Sequence, residues 1–169
     1  RQAAATVLSN RTSLWYTLAT TTVFGALFGF INSAQQVYVG IYGLGVWFPA
    51  AFAAIAAMMS LSSFLNSRFV MKVGMRRLSQ GALLGFFAVS LVWFVWSLFG
   101  EVPFVAFVLL FAAVMFQFGW IGSNFNALAM EPLGHIAGSA SSIQGFLQTI
   151  GGGIIGASIG QAFNGTTTP

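Results

Sequence analysis

Site chemistry needs titratable, nucleophilic or metal-ligating side chains at workable spacing, and this sequence holds few of them. It has one histidine, His135, two carboxylates, Glu101 and Glu131, and no cysteine. That set supplies no acid-base pair, no zinc-ligand cluster and no histidine-oriented nucleophile. Lack of cysteine also excludes disulfides and thiol catalysis. No enzyme is expected, and no metal or cofactor. The remaining polar chemistry is neutral. Gln117 and Asn124 stand seven positions apart and Gln144 and Gln148 four apart, so each pair shares a helix face. Thr21, Gly25, Phe28 and Asn32, at steps of four, three and four, share another. Amides interleaved with aromatics form a wall that can hydrogen-bond and stack on amphiphilic solutes without demanding a charge. Asn32, Gln117, Asn124, Gln144 and Gln148 are therefore the candidate cavity wall. The competing role for each amide is to tie helices together, worth about 0.6 kcal/mol apiece in a membrane.

The one dense charge cluster lies between Asn66 and Leu78 and carries Arg68, Lys72, Arg76 and Arg77, four of the six basic residues of the chain. A basic cluster suggests nucleic acid only on a soluble fold. Here 57% of the 169 residues are hydrophobic and 5% charged, against roughly 25% in a soluble domain. Mean hydropathy is +0.87. The chain is expected to be an all-α integral membrane protein, with the cluster as a cytoplasmic loop between apolar spans.

The elements that would position these residues follow from hydropathy, since a helix needs about 20 apolar residues to cross a bilayer. Residues 1–12, with Arg1 and Arg11 among small polar residues, read as a loop. Spans are expected at about 13–31, 46–65, 80–99, 103–130 and 139–160, with 161–169 an outer loop. The polar run 32–36 closes the first span, a glycine-punctuated loop spans 40–45, and Glu131, Pro132 and His135 lie in a connection because proline breaks a continuing helix. Pro49 and the run Gly151-Gly152-Gly153 are candidate bending points. Small residues recur on the second span (Ala50, Ala53, Ala54, Ala57, Ser60) and in two rows on the fifth, the texture of close helix packing in lipid. One row is Ser141, Gly145, Thr149, Gly153 and Ala157; the other is Gly152, Gly156 and Gly160. All six Lys and Arg fall in the first loop and the loop after the second span, so the positive-inside rule makes that side and the N-terminus cytoplasmic, with Glu101 outside and Glu131 and His135 inside. No Asp, Glu, Lys, Arg or His lies within an expected span. The sequence starts at Arg1 and reads as an excised or processed piece.

Two stretches go beyond generic membrane texture. Asn66-x-Arg68-x-Val70-x-Lys72-x-Gly74-x-Arg76-Arg77-Leu78 resembles the loop between helices eight and nine of the Bcr/CflA subfamily of multidrug efflux transporters, within the major facilitator superfamily. Ala127-Leu128-Ala129-Met130-Glu131-Pro132-Leu133-Gly134-His135-Ile136-Ala137-Gly138-Ser139-Ala140-Ser141, with Gly145-Phe146-Leu147-Gln148, resembles that subfamily's junction between helices ten and eleven. Ser123 departs from the proline many relatives carry there. The resemblance runs from about Leu14 to Gly165 and implies five transmembrane helices, seven to eleven, of an incomplete C-terminal six-helix bundle. It implies a bacterial inner-membrane antiporter that exports varied drugs against protons by alternating access. The implied partners are the bilayer, small-molecule drugs, protons, six N-terminal helices and a twelfth helix, and no nucleic acid. The coupling acid would then lie in the absent half. A gating role falls to Asn66, Arg68, Lys72, Gly74, Arg76 and Arg77, and a junction role to Glu131, Pro132 and His135. The alternative is a small structural or assembly-partner membrane protein without transport of its own.

Overall fold

The structure, a computed structural model, describes residues 2–166, without the side chains of Gln2 and Ala3; Arg1 and residues 167–169 lie outside the described residues. It is helical from end to end: α1 (Gln2–Ser9), α2 (Arg11–Gln35), α3 (Phe48–Val73), α4 (Met75–Phe99), α5 (Phe104–Met130) and α6 (Ala137–Gln161). A π-helical turn (Gln36–Ile41) extends α2, a short 3-10 turn (Gly45–Trp47) leads into α3, and a second (Glu131–Ile136) joins α5 to α6. Among the described residues, four stretches are long and apolar enough to cross a membrane, and the last, Phe104–Gln161, is 58 residues long. That length holds two passes, because the helical path breaks at Leu133 (φ −115°, ψ 17°).

Contacts fix the direction of each pass. On α2 and α5, Tyr16 meets Phe125, Phe24 meets Phe118 and Phe30 meets Phe111, so the two run antiparallel. On α2 and α6, Ser13 meets Gln144 and Gly25 meets Ile155, so those run parallel. Phe69 of α3 stacks near Trp120 of α5 while Trp93 of α4 meets Phe107, making α3 parallel and α4 antiparallel to α5. Five passes alternate in direction, with α5 touching α2, α3 and α4, and α6 laid along α2. Large apolar side chains such as Trp15, Leu84, Phe87, Val105 and Leu109 point outward, as lipid-facing surfaces require when the solvent is hydrocarbon.

Four boundaries differ from the sequence reading. The 1–12 loop contains the helix α1: its alanines favour helix, and Val7, 1% exposed, docks with Leu133 and Ala140 under the α5–α6 turn. The run 32–36 does not close the first span, because Ser33 and Ala34 stay buried and Tyr38, fully buried, packs on Phe48 and Phe107. The 40–45 loop shrinks to the few residues around Tyr42, Gly43 and Leu44. The basic loop is scarcely a loop: α3 runs to Val73, α4 begins at Met75, and the reversal rests on Gly74, whose φ of +86° suits glycine alone. Pro49 sits in the first turn of α3, where its missing N–H costs nothing, and is no bending point.

Candidate functional site

The face Thr21, Gly25, Phe28, Asn32 proves to be a helix seam and not a solute wall. A Cβ built on Gly25 would stand 2.5 Å from Ile155 Cγ2, and one on Gly29 would stand 2.7 Å from Ile159 Cγ2. From the other side, Gly151 faces Thr21, Gly152 and Gly156 face Phe28, and Gly160 faces the Asn32 Cβ at 3.2 Å. Glycine permits this approach because the backbone carries nothing in between. The run Gly151-Gly152-Gly153 thus lies inside an unbroken helix, where Gly151 and Gly152 serve packing and Gly153 meets nothing within 4 Å, with Gly152 and Gly156 buried. The second small row, Ser141, Gly145, Thr149 and Ala157, is exposed.

Three of the five amides, Asn124, Gln144 and Gln148, likewise tie helices together. Asn124, 2% exposed, donates through Nδ2 to Asn66 Oδ1 at 2.7 Å and to the Trp120 carbonyl at 2.8 Å. One turn away, Ser62 Oγ donates to the Phe116 carbonyl and Trp120 Nε1 to the Ser62 carbonyl at 2.8 Å. These three rungs lock α3 to α5, and Asn66, expected in a gating loop, is one of them. Gln144 Nε2 donates to Ser13 Oγ at 2.9 Å and to the Ala129 carbonyl at 3.2 Å, joining α6 to α2 and α5. Gln148 Nε2 donates to Asn126 Oδ1 at 2.8 Å. Gln117 is half-buried against Gly85 of α4, and Asn32 is exposed at the α2–α6 seam.

The cavity itself lies elsewhere. A space of about 280 Å³ opens in the half of the bundle remote from the charged end, between α2, α4, α5 and the end of α6. Its wall is aromatic, with Phe30, Phe86, Trp93, Phe94, Phe107, Phe111 and Phe118, and carries the hydroxyls of Ser33 and Ser90. None of the five amides lines it. Trp93 stands edge-on to Phe107 and Phe111, and its indole N–H is buried without a hydrogen-bond partner. Sequence reasoning missed this wall by following polar residues; the signal present was the recurrence of Phe107, Phe111 and Phe118 on one α5 face with Trp93 and Phe86 seven apart on α4.

The charged residues gather at the opposite end. Arg76 lies 3.7 Å from Glu131, both side chains more than half exposed, and the pair bridges the α3–α4 and α5–α6 reversals. Arg68 caps the Phe64 ring at 4.9 Å, and Lys72 lies in the last turn of α3. His135 is exposed in the 3-10 turn, and Pro132 sits in that turn's first positions. At the far end Tyr42 donates to the Val102 carbonyl at 2.8 Å. Burial, and secondarily the Glu101 charge, push the Tyr42 phenol up to about 12. Among the described residues no group of three metal-ligating side chains occurs.

The described residues form an all-helical, multi-pass bundle with an uncharged interior and an apolar cavity, and all their charged side chains but Glu101 lie at one end, as suits a multi-pass membrane protein. The comparisons agree. The chain is 33% identical over 160 residues to a bicyclomycin resistance protein homolog of Haemophilus influenzae, covering 92% of this chain and 39% of that protein. It is 26% identical over 158 residues to YdgK, an uncharacterized MFS-type transporter of Bacillus subtilis, covering 91% of this chain and 38% of that one. The chain is thus similar, over nearly its whole length, to a bicyclomycin resistance protein homolog and to an MFS-type transporter, and spans about two fifths of the length of these curated relatives. Their names indicate transporters and no enzyme. No family model matches the chain, and no solved structure matches it.

Proposed function

We propose that this chain forms most of the C-terminal bundle of a proton-coupled exporter of varied amphiphilic drugs, in a bacterial inner membrane, with its N-terminus and basic end cytoplasmic. The observation that carries the reading is the alignment of 92% of the chain with a bicyclomycin resistance protein homolog. The bundle supports it in three ways. Its charged residues Arg11, Arg68, Lys72, Arg76, Arg77 and Glu131 gather with His135 at one end, and Glu101 stands at the other. Its cavity is aromatic and uncharged, suited to stacking on flat neutral compounds. Its exposed small-residue faces, Ala53, Ala54 and Ala57 on α3 and Gly145 and Thr149 on α6, suit close approach of a second helical bundle.

In this reading the proton-carrying acid belongs to the partner half, because α2 to α6 hold no carboxylate. Six further helices and a twelfth would complete the walls. The buried amides keep the bundle rigid while it rocks as one body, and aromatic side chains contact the compound. The full-length protein, expressed in cells lacking their own exporters, should raise bicyclomycin tolerance and lower accumulation of a neutral fluorescent amphiphile, and collapsing the proton gradient should abolish both. Unchanged tolerance and accumulation would refute export. Reconstituted alone in liposomes, the 169-residue chain should show no proton-driven export, and any such export would refute the assignment of the coupling acid.

A further inference from the structure

A second cleft, also of about 280 Å³, lies at the charged end, where Gly74, Arg76, Arg77, Leu128 and Glu131 meet. It is remote from the aromatic cavity. Four cations lie within ten positions here, Arg68, Lys72, Arg76 and Arg77, and the whole chain has only two acids. One of these, Glu101, is at the opposite end, so Glu131 alone faces the cluster and three positive charges stay unbalanced by any acid of the chain. Among the described residues the one ion pair, Arg76 with Glu131, is long at 3.7 Å and more than half exposed on both sides. It leaves Arg76 open to a stronger anion.

The surroundings select the anion. Val73 and Met75, which flank Gly74, line the cleft with Leu128 and give it an apolar wall, with Val73 42% exposed. In a membrane-spanning bundle these side chains stand where the chains of a lipid begin, while the arginines stand at the height of its headgroup. A free inorganic anion would use the charges and ignore the apolar rim; a phospholipid uses both. Basic pockets between transmembrane helices recognise anionic headgroups in this way, each cation near the surface contributing about a fivefold preference.

We propose that the cleft bounded by Gly74, Arg76, Arg77 and Leu128 binds the headgroup phosphate of an anionic phospholipid, with Val73 and Met75 against its acyl chains and Glu131 as the competing internal anion for Arg76. The site rests on the membrane-spanning fold and is independent of whether the protein exports drugs.

The test is native mass spectrometry of the full chain purified in mild detergent and titrated with phosphatidylglycerol against phosphatidylcholine. The wild type should retain phosphatidylglycerol preferentially. Arg76→Gln with Arg77→Gln should lower that preference about 25-fold, at fivefold per charge, and Arg11→Gln, at the start of α2, should leave it within twofold. Glu131→Gln should raise it several-fold, because removing the carboxylate frees Arg76, and this variant keeps the proposal testable if the double variant fails to fold. Equal preference in the double variant, an equal loss in Arg11→Gln, or no rise in Glu131→Gln overturns the site. Displacement of the lipid by 10-fold excess inorganic phosphate would assign the cleft to free anions and overturn the lipid.

Discussion

Replacing Gly156 by alanine should destabilise the bundle, and the same replacement at Gly153, three residues along the same helix, should not. A Cβ at Gly156 would stand 2.5 Å from Phe28 Cβ and 2.9 Å from the Gly29 nitrogen. The second obstacle is backbone, which cannot swing aside, so α2 and α6 must part. A Cβ at Gly153 meets nothing within 4 Å. Both substitutions gain the same helix propensity, about 1 kcal/mol, so that term cancels between them. The difference is the clash alone, about 1–3 kcal/mol for overpacking and toward the upper end where backbone is hit. Gly156→Ala should therefore be net destabilised by about 1–2 kcal/mol and Gly153→Ala unchanged or slightly stabilised. Equilibrium unfolding in mixed micelles of rising dodecyl sulfate fraction, followed by far-ultraviolet circular dichroism, measures both. Midpoints that differ by less than about 0.5 kcal/mol would refute the close α2–α6 approach. Gly152→Ala, whose Cβ would meet the Phe28 ring at 3.2 Å and the Phe24 Cβ at 3.4 Å but no backbone atom among its nearest neighbours, should fall between the two.

A double-mutant cycle of Asn66→Ala and Asn124→Ala should show a coupling of about 0.6 kcal/mol, and no more than about 1.7, the range for polar pairs in membranes; zero coupling would contradict the α3–α5 tie. Raising the pH should destabilise the protein between 10 and 12 partly through Tyr42, whose phenol keeps its proton up to about 12 when folded and loses it near 10.0 when unfolded. The contribution is whole below pH 10 and is lost as pH rises toward 12, so Tyr42→Phe should shallow the alkaline decline seen in pH-dependent melting. Arg76→Gln should change stability by no more than about 0.5 kcal/mol, since its partner Glu131 is 56% exposed. If the pair biases one transport state, that variant of the full-length protein should lose export at unchanged expression and orientation; unchanged export would argue that the pair only marks the topology.

Hydropathy placed five spans because a bilayer sets their length, and the recurrence of Gly152, Gly156 and Gly160 marked α6 as a packing helix, whereas the α3 row of Ala50, Ala53, Ala54, Ala57 and Ser60 is exposed. What it could not give was the partner of each face. The step pattern of Thr21, Gly25, Phe28 and Asn32 said that they share a side of α2, and nothing in α2 alone said whether that side met solute or helix. The answer sits 124 or more residues away, in Gly151, Gly152, Gly156 and Gly160. The amides were legible as a buried set for the same reason that they misled: a neutral polar group in hydrocarbon needs a partner, and Asn124 and Gln144 find theirs in Asn66 and Ser13. The boundary errors also have one cause. Polar residues such as Ser33 and Asn66 were read as exposed ends, although tertiary packing carries the helix on past them.

Gly74 carries a further consequence for how the chain is made. With a single residue between α3 and α4, no loop exists that can be threaded while one helix waits in place, so the two should enter the membrane together as a preformed hairpin. Ribosome-stalled chains ending within α4 should then leave α3 extractable by alkali, and chains ending some tens of residues later should hold both helices fast.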